Sequence, residues 1–410
     1  MLSYASRPGR IEGDRIIAAQ ASFREHHWDA LRALLMMLGL PYHVALCYQV
    51  GGGEGQAWIV NSHESMPLFA QTAQFIHFFR MPAFFLIAGY FAALLLSRRA
   101  PGQWFRGRMR RLAIPLSFAL VTLNPLLNLA CELSNFSLGP ALESWMSNSS
   151  SSGGYWVRHL WFLIVLLYYC AAAALLTAWL PSVRNGQVSS GHDGWAARHF
   201  TLIWLGVAAI VGLWEAASIE LFYMGGLATN VPQQIFRLDE ALEYLPYYLI
   251  GFMLARAPVT RLKLYRLSPA IVIAGVVFAG LTLLYAKSLW PPYGRFLETM
   301  AALCLTQPVL AVLRHLAVRP SERIKKLVDA SFVIYLFHLP ILCWLVVAFI
   351  GVLIPVLLKA AVVLILTFLL SLGAWEIVSR VPVLRLLYDG ISTPKSEDRY
   401  REREAAIHRG

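Results

Sequence analysis

Apolar residues gather into long runs separated by short polar stretches, and most runs are about 20 residues long, the length at which a helix crosses bilayer hydrocarbon. Ten such runs lie at about 30–50, 72–97, 112–131, 159–180, 199–219, 241–256, 268–287, 297–317, 329–350 and 354–378. They predict an all-α polytopic integral membrane protein of about ten transmembrane helices. The sixth run is short and the second long, so tilt or mismatch is expected there. NSSSSGG (148–154) and SVRNGQVSSGHDG (182–194) read as flexible loops. No repeat or separate soluble domain interrupts the pattern. It divides into an amino-terminal tail (1–28), a membrane domain (29–380) and a charged carboxyl tail (381–410).

Composition supports this division. Of 410 residues, 58% are hydrophobic and 14% charged, where a soluble chain carries about a quarter charged. The net charge of +12 changes meaning once Lys and Arg are assigned to loops. Alternate loops and both tails hold 28 of them, against three (Arg237, Lys287, Arg295) on the other side. The positive-inside rule then places both termini in the cytoplasm, and the charge reads as loop charge rather than a nucleic-acid footprint. The first apolar run has no small-residue cleavage pattern behind it and reads as a retained helix. Five cysteines show no CxxC pair or other metal-ligand spacing, so no metal is expected. Cys47 and Cys131 both fall near the outer face, where a disulfide is one option.

Ionisable groups inside the apolar runs are costly, and they mark candidate sites. In DALRALLMMLGLPYH (29–43), Arg32 lies near the inner end of the first helix and His43 lies eleven residues further on. That is about 16 Å along the axis and three turns plus about 20°, so both side chains share one face. Pro41 weakens the backbone ladder just before His43. The bland alternatives are a snorkelling Arg32 paired with Asp29 and a hydrogen-bonding interfacial His43. FIHFFRMPAFFLIAGYFAALLL places His77 and Arg80 on one face in the outer half of the second helix. There the arginine needs a water-filled cavity, an anion or a protein acceptor. His159 (in RHLWFL), His338 (in SFVIYLFHLP) and Glu376 are further polar candidates, each with a packing alternative. Glu215 and Glu298 are weaker ones, and Trp161, Tyr168 and Trp344 read as belt or packing residues. The loop RRAPGQWFRGRMRRLAIP (98–115) is the strongest basic cluster, suited to anionic lipid or to a phosphorylated cytosolic ligand.

These segments together resemble the membrane acyltransferase-3 family. The resemblance lies in the R-x10-H spacing of Arg32 and His43, in FFRMPAFFLIAGYF, in the Arg108–Arg111 RxxR, and in HLWFL and YLFH. DALRALLMMLGLPYHVALCY, VNS (60–62) and FIHFFRM are similar to its branch associated with osmoregulated periplasmic glucan biosynthesis. The resemblance covers about residues 24–390. It implies a multi-pass enzyme of the bacterial inner membrane that succinylates periplasmic glucans. In it, Arg32 and His43 match the family's essential pair and Arg108 and Arg111 its loop motif.

On this reading no cofactor is held permanently, and acyl-CoA, expected to be succinyl-CoA, is a co-substrate. Arg32, Arg108 and Arg111 would hold its phosphates, and guanidinium suits phosphate bidentately. His43 would serve as base or carry the acyl group covalently. Arg80 would donate to the oxyanion or clamp the succinyl carboxylate. Asp29, His77, His159, His338 and Glu376 are expected in substrate-binding or supporting roles. Expected partners are the lipid bilayer, the glucan acceptor and other glucan-biosynthesis proteins, with no nucleic acid. The rival readings are an acetyltransferase of another surface polysaccharide and an exporter of glucan or another anion.

Overall fold

The computed structural model describes residues 28–49, 60, 62–226, 231–286, 288–316 and 322–391. Among them the secondary structure is helical, with no strand. The chain runs through α1 (Trp28–Cys47), α2 (Pro67–Arg98), α3 (Pro101–Leu133), α4 (Trp161–Trp179), α5 (Phe200–Met224) and α6 (Leu245–Leu254). It continues through α7 (Pro269–Tyr285), α8 (Pro291–Leu316), α9 (Glu322–Ala348), α10 (Val356–Arg380) and the short α11 (Pro382–Asp389). Expectations for residues 1–27, Asn61, Lys287 and 392–410 lie outside the described residues.

Eight of these helices are long and apolar enough to cross a membrane, and a ninth follows if α7 is joined to the bent segment Pro258–Leu264, at 59° to it. The chain is therefore an all-α multi-pass membrane protein. The sixth expected span, 241–256, differs. It is the ten-residue α6, about 15 Å long, preceded by a short helix at Leu238–Glu243. Pro246 in the first turn of α6 starts a new helix after Tyr244 instead of continuing the old one.

The long α2 is the axis of the bundle and packs against α1, α6 and α8. Its contact with α6 is a backbone approach that only glycine permits. A Cβ on Gly89 would lie 1.9 Å from the Tyr248 carbonyl oxygen, and one on Gly251 would lie 1.8 Å from that of Leu86. Small residues at such crossings let membrane helices pack closely where lipid removes the hydrophobic drive. The periphery is formed by α5 and α10. They turn Leu202, Ile210 and Leu221, and Leu358, Ile365 and Leu369, outward as exposed apolar surface suited to lipid tails.

Three expected loops are largely helical. Residues 98–115 are mostly the start of α3, because Pro101 occupies a first-turn position and the following Arg residues favour helix. NSSSSGG ends one helix (Leu138–Ser151) and opens another (Gly153–Val157). SVRNGQVSSGHDG carries two short helices, Pro181–Asn185 and Ser190–Arg198, the latter capped by the Ser189 hydroxyl. All five cysteines are free and buried, so Cys47 and Cys131 form no disulfide.

Candidate active site

Two adjoining cavities occupy the core. The larger, about 500 Å³, is walled by α1, α2, the start of α4, the 237–244 segment and α9. Its lining includes Tyr42, His43, His77, Arg80, His159 and Tyr335. The smaller, about 100 Å³, contains Arg32, Arg108 and Arg111 with Trp104, Cys170 and Tyr248. Met36, Phe84 and Phe162 belong to both walls. The two chambers therefore adjoin across these three apolar side chains, the neck, with cations on one side and imidazoles on the other.

Local sequence explains how the groups reach these walls. Tyr42 and His43 follow Pro41, whose missing N–H leaves α1 irregular at Leu38. The two rings meet edge to face, with centroids 4.9 Å apart. Arg80 projects from α2 across the Tyr42 ring, its guanidinium carbon 4.6 Å from the centroid. Its Nε is buried without a hydrogen-bond partner. His77, one turn earlier on α2, lies 3.4 Å from the Tyr42 hydroxyl through Nδ1 and 3.9 Å from Glu298 through Nε2.

Three histidines converge beside Arg80. The His338 ring centroid is 5.2 Å from that of His43 and 5.6 Å from that of His159. His338 Nδ1 faces the Tyr335 carbonyl at 2.7 Å. A carbonyl only accepts, so Nδ1 carries the proton and Nε2 is left as a buried acceptor. His159 stands on a 3₁₀ turn, Arg158–Leu160, just before α4. That turn is held from α3 by two buried asparagines four residues apart. Asn128 donates to the Tyr155 carbonyl at 2.6 Å, and Asn124 donates to the carbonyls of Trp156 and Val157. These bonds satisfy carbonyls that a break in the helix would orphan. Arg158 adopts φ +45°, a strained setting for a non-glycine residue, and its Nε donates to Asn128 Oδ1 at 2.9 Å. Tyr335 on α9 closes the wall by donating its hydroxyl to the His159 carbonyl at 2.7 Å.

In the smaller chamber Arg32 is 3.3 Å from Asp29, and the Arg108 guanidinium lies 5.7 Å from the Trp104 ring. Arg111 is 3.3 Å from Asp389, the last residue of α11. Asp389 lies beyond the last span, and burial pushes its carboxyl up to about 6 against the pull of Arg111 and Arg385.

Of the residues expected at a site, His43, His77, Arg80 and His159 line the larger cavity, and Arg32, Arg108 and Arg111 line the smaller. His338 packs behind His43, and Asp29 supports Arg32. Glu376 is not brought to either chamber; it pairs with Lys326 and Arg380 at the end of α10. Sequence reading passed over the neck, Tyr42, Tyr335, Arg158 and the acidic segment with Glu240 and Glu243. It also took Trp161 for a belt or packing residue; Trp161 packs, stacking on Tyr244 at 5.5 Å, and in doing so lines the larger cavity. Asn124 and Asn128 were the available signal for the α4 turn, two amides on one helix face within an apolar run. Among the described residues no cluster of three or more His, Cys, Asp or Glu is arranged to hold a metal.

The arrangement offers cations for an anionic group, a shared apolar partition, and imidazoles with a guanidinium beyond it. A family described as an acyltransferase domain matches residues 25–376. The chain is 27% identical, over 403 residues, to the glucans biosynthesis protein C of Escherichia coli O1:K1 / APEC and to that of Escherichia coli strain K12. Each alignment covers 92% of this chain and 97% of the relative. No solved structure matches the chain. With the family match running through nearly all the membrane helices, this protein belongs to the acyltransferase-domain family.

Proposed function

We propose that the protein transfers a succinyl group from cytoplasmic succinyl-CoA to hydroxyls of periplasmic glucans, as a multi-pass enzyme of the bacterial inner membrane with both termini in the cytoplasm. The observation that carries this reading is the neck. Met36, Phe84 and Phe162 border both the arginine chamber and the histidine chamber, so a slender chain that parts these three side chains would reach from one to the other. The glucan acceptor and the succinyl donor follow the named relatives and the sequence resemblance, and the topology follows the loop charges.

In this mechanism Arg32, Arg108 and Arg111 hold the phosphates of the donor. The pantetheine arm passes the neck and presents its thioester beside His43. The imidazole takes the proton of a glucan hydroxyl as that oxygen attacks the carbonyl carbon. The carbon–oxygen bond forms, the carbon–sulfur bond breaks, and the proton passes to the departing CoA sulfur. Arg80 reaches the same space, as oxyanion donor or as clamp for the succinyl carboxylate. The covalent variant forms an acyl-imidazole on His43 first and then transfers it to the hydroxyl.

Mass analysis of periplasmic glucans from cells carrying the wild-type protein or His43→Ala tests this proposal. The expected result is a normally inserted variant whose glucans lack the succinyl increment. Normal substitution in the variant removes His43 from the chemistry. Loss of glucan from the periplasm points to an exporter, and an acetyl increment in the wild type changes the donor.

A further inference from the structure

A third cavity of about 240 Å³ adjoins the histidine chamber, with His77, Glu243 and Tyr244 in both walls. It lies between α2, α5, α6 and α8, at the end of the bundle that carries His77. Its walls hold three carboxyl groups, from Glu215, Glu243 and Glu298, with the tyrosine rings of Tyr244 and Tyr247. Its one cation, Arg295, is engaged elsewhere by Glu220 at 2.8 Å.

Glu215 is the informative residue. It is 7% exposed, and one carboxyl oxygen accepts from the Thr299 hydroxyl at 2.5 Å. The other, Oε1, is buried with no donor in good hydrogen-bond geometry, although the Tyr247 hydroxyl from the same wall also bonds to this carboxyl group. A buried polar oxygen left in this state is expensive, and the residue that carries it belongs to the wall of a cavity that a donor can enter. An anion is excluded by the carboxyl groups. A neutral polyol fits, because vicinal hydroxyls donate to carboxyl oxygens while the apolar face of a sugar ring lies against tyrosine. His77 in the shared wall places this chamber beside Tyr42 and His43.

We infer that this chamber binds a pyranose unit of the acceptor, next to the unit whose hydroxyl reacts at His43. The inference rests on the acyl-transfer reading and adds where the acceptor is gripped. It makes Glu215 and Glu243 acceptor-binding residues with no part in holding the donor.

The test uses the full-length protein in lipid nanodiscs, succinyl-CoA as donor and a neutral gluco-oligosaccharide as acceptor. Glu215→Leu fills a similar volume without acceptor oxygens, and Thr299 keeps its bond to the Arg295 carbonyl. The expected result is a rise of about ten- to a hundredfold in the KM for the oligosaccharide, with kcat and the KM for succinyl-CoA unchanged. Glu215→Gln is expected to fall between the two. An unchanged acceptor KM, or a loss confined to kcat as a proton relay would give, overturns the inference. If Glu215→Leu does not fold, Glu243→Gln, on a different helix, is read by the acceptor KM against the donor KM alone, because Glu243 also borders the histidine chamber. A wild-type protein that acylates no oligosaccharide at all overturns the acyl-transfer reading itself, a result distinct from any difference between variants.

Discussion

Gly39→Ala separates the geometry of the site from the stability of the fold. Gly39 lies where α1 passes Arg80 and His338. A methyl group there would sit 3.2 Å from an Arg80 terminal nitrogen and 3.8 Å from His338 Nε2. Ordinary contact between such atoms is about 3.5–4.0 Å. The imidazole can stay in place, whereas the guanidinium must retreat by a few tenths of an ångström. Its retreat is constrained because it already lies over the Tyr42 ring. A misplacement of about 1 Å costs on the order of a hundredfold in rate. A few tenths then corresponds to a fall in kcat of about three- to tenfold. The backbone effect has the opposite sign, since alanine in a helix is favoured over glycine by about 0.5–1 kcal/mol.

The assay is release of free CoA thiol from succinyl-CoA in the presence of acceptor, with thermal unfolding measured on the same preparation. The expected outcome is reduced kcat, unchanged donor KM, and a Tm equal to or above that of the wild type. An undiminished kcat in a well-folded variant would refute a role for Arg80 in the reacting geometry. A parallel fall in Tm would trace the loss to the fold instead.

Two more outcomes follow from the neck and from the carboxyl end. Phe84→Trp narrows the passage and is expected to reduce transfer while CoA itself still binds the arginine chamber; equal loss of CoA binding in a titration would show that the two chambers are not separated there. Asp389 has a folded-state pKa of about 6, above its ordinary value because of burial, so between about pH 4 and 6 the native state holds a proton that the unfolded chain has released. Stability therefore falls as pH rises through that window, by about 2–3 kcal/mol in full. Asp389→Asn should match the wild type in Tm near pH 4 and exceed it near pH 8, and a gap that does not vary with pH contradicts this account.

Membrane sequence makes ionisable residues conspicuous and apolar ones anonymous, and that asymmetry decided what could be read. Arg32, His43, His77 and Arg80 stood out because each is costly in hydrocarbon, and helix periodicity was enough to relate them. Met36, Phe84 and Phe162 form the neck, yet each sits in an apolar run where any lipid-facing residue would look the same. Helical segments within the connections were hidden for another reason. Serine runs and basic clusters signal solvent exposure, which a short interfacial helix satisfies as well as a loop does. The sixth run reads as one continuous helix because FRLDEALEYLPYYLIGFML continues in hydropathy across a break that Pro246 imposes on the backbone. Glu240 and Glu243, which the sequence did not single out, line the larger cavity because that break turns the short helix before α6 toward it.

The state of the cations beyond the neck bears on which of the two proposed roles Arg80 plays. Arg237 is occupied by Asp239 and Glu240, and Arg158 is spent on holding the α4 turn through Asn128. Arg80 has no carboxylate partner among the described residues, and its Nε is buried without an acceptor. A guanidinium that faces a cavity without a carboxylate partner binds a carboxylate far better than it binds a neutral carbonyl. An acetyl thioester brings only the carbonyl, whereas a succinyl thioester brings a carboxylate as well, at the end of the chain that emerges from the neck. On the proposed reading the clamp is therefore the stronger of the two roles. Arg80→Lys should then lower the preference for succinyl over acetyl donors, and an oxyanion donor alone would slow both donors alike.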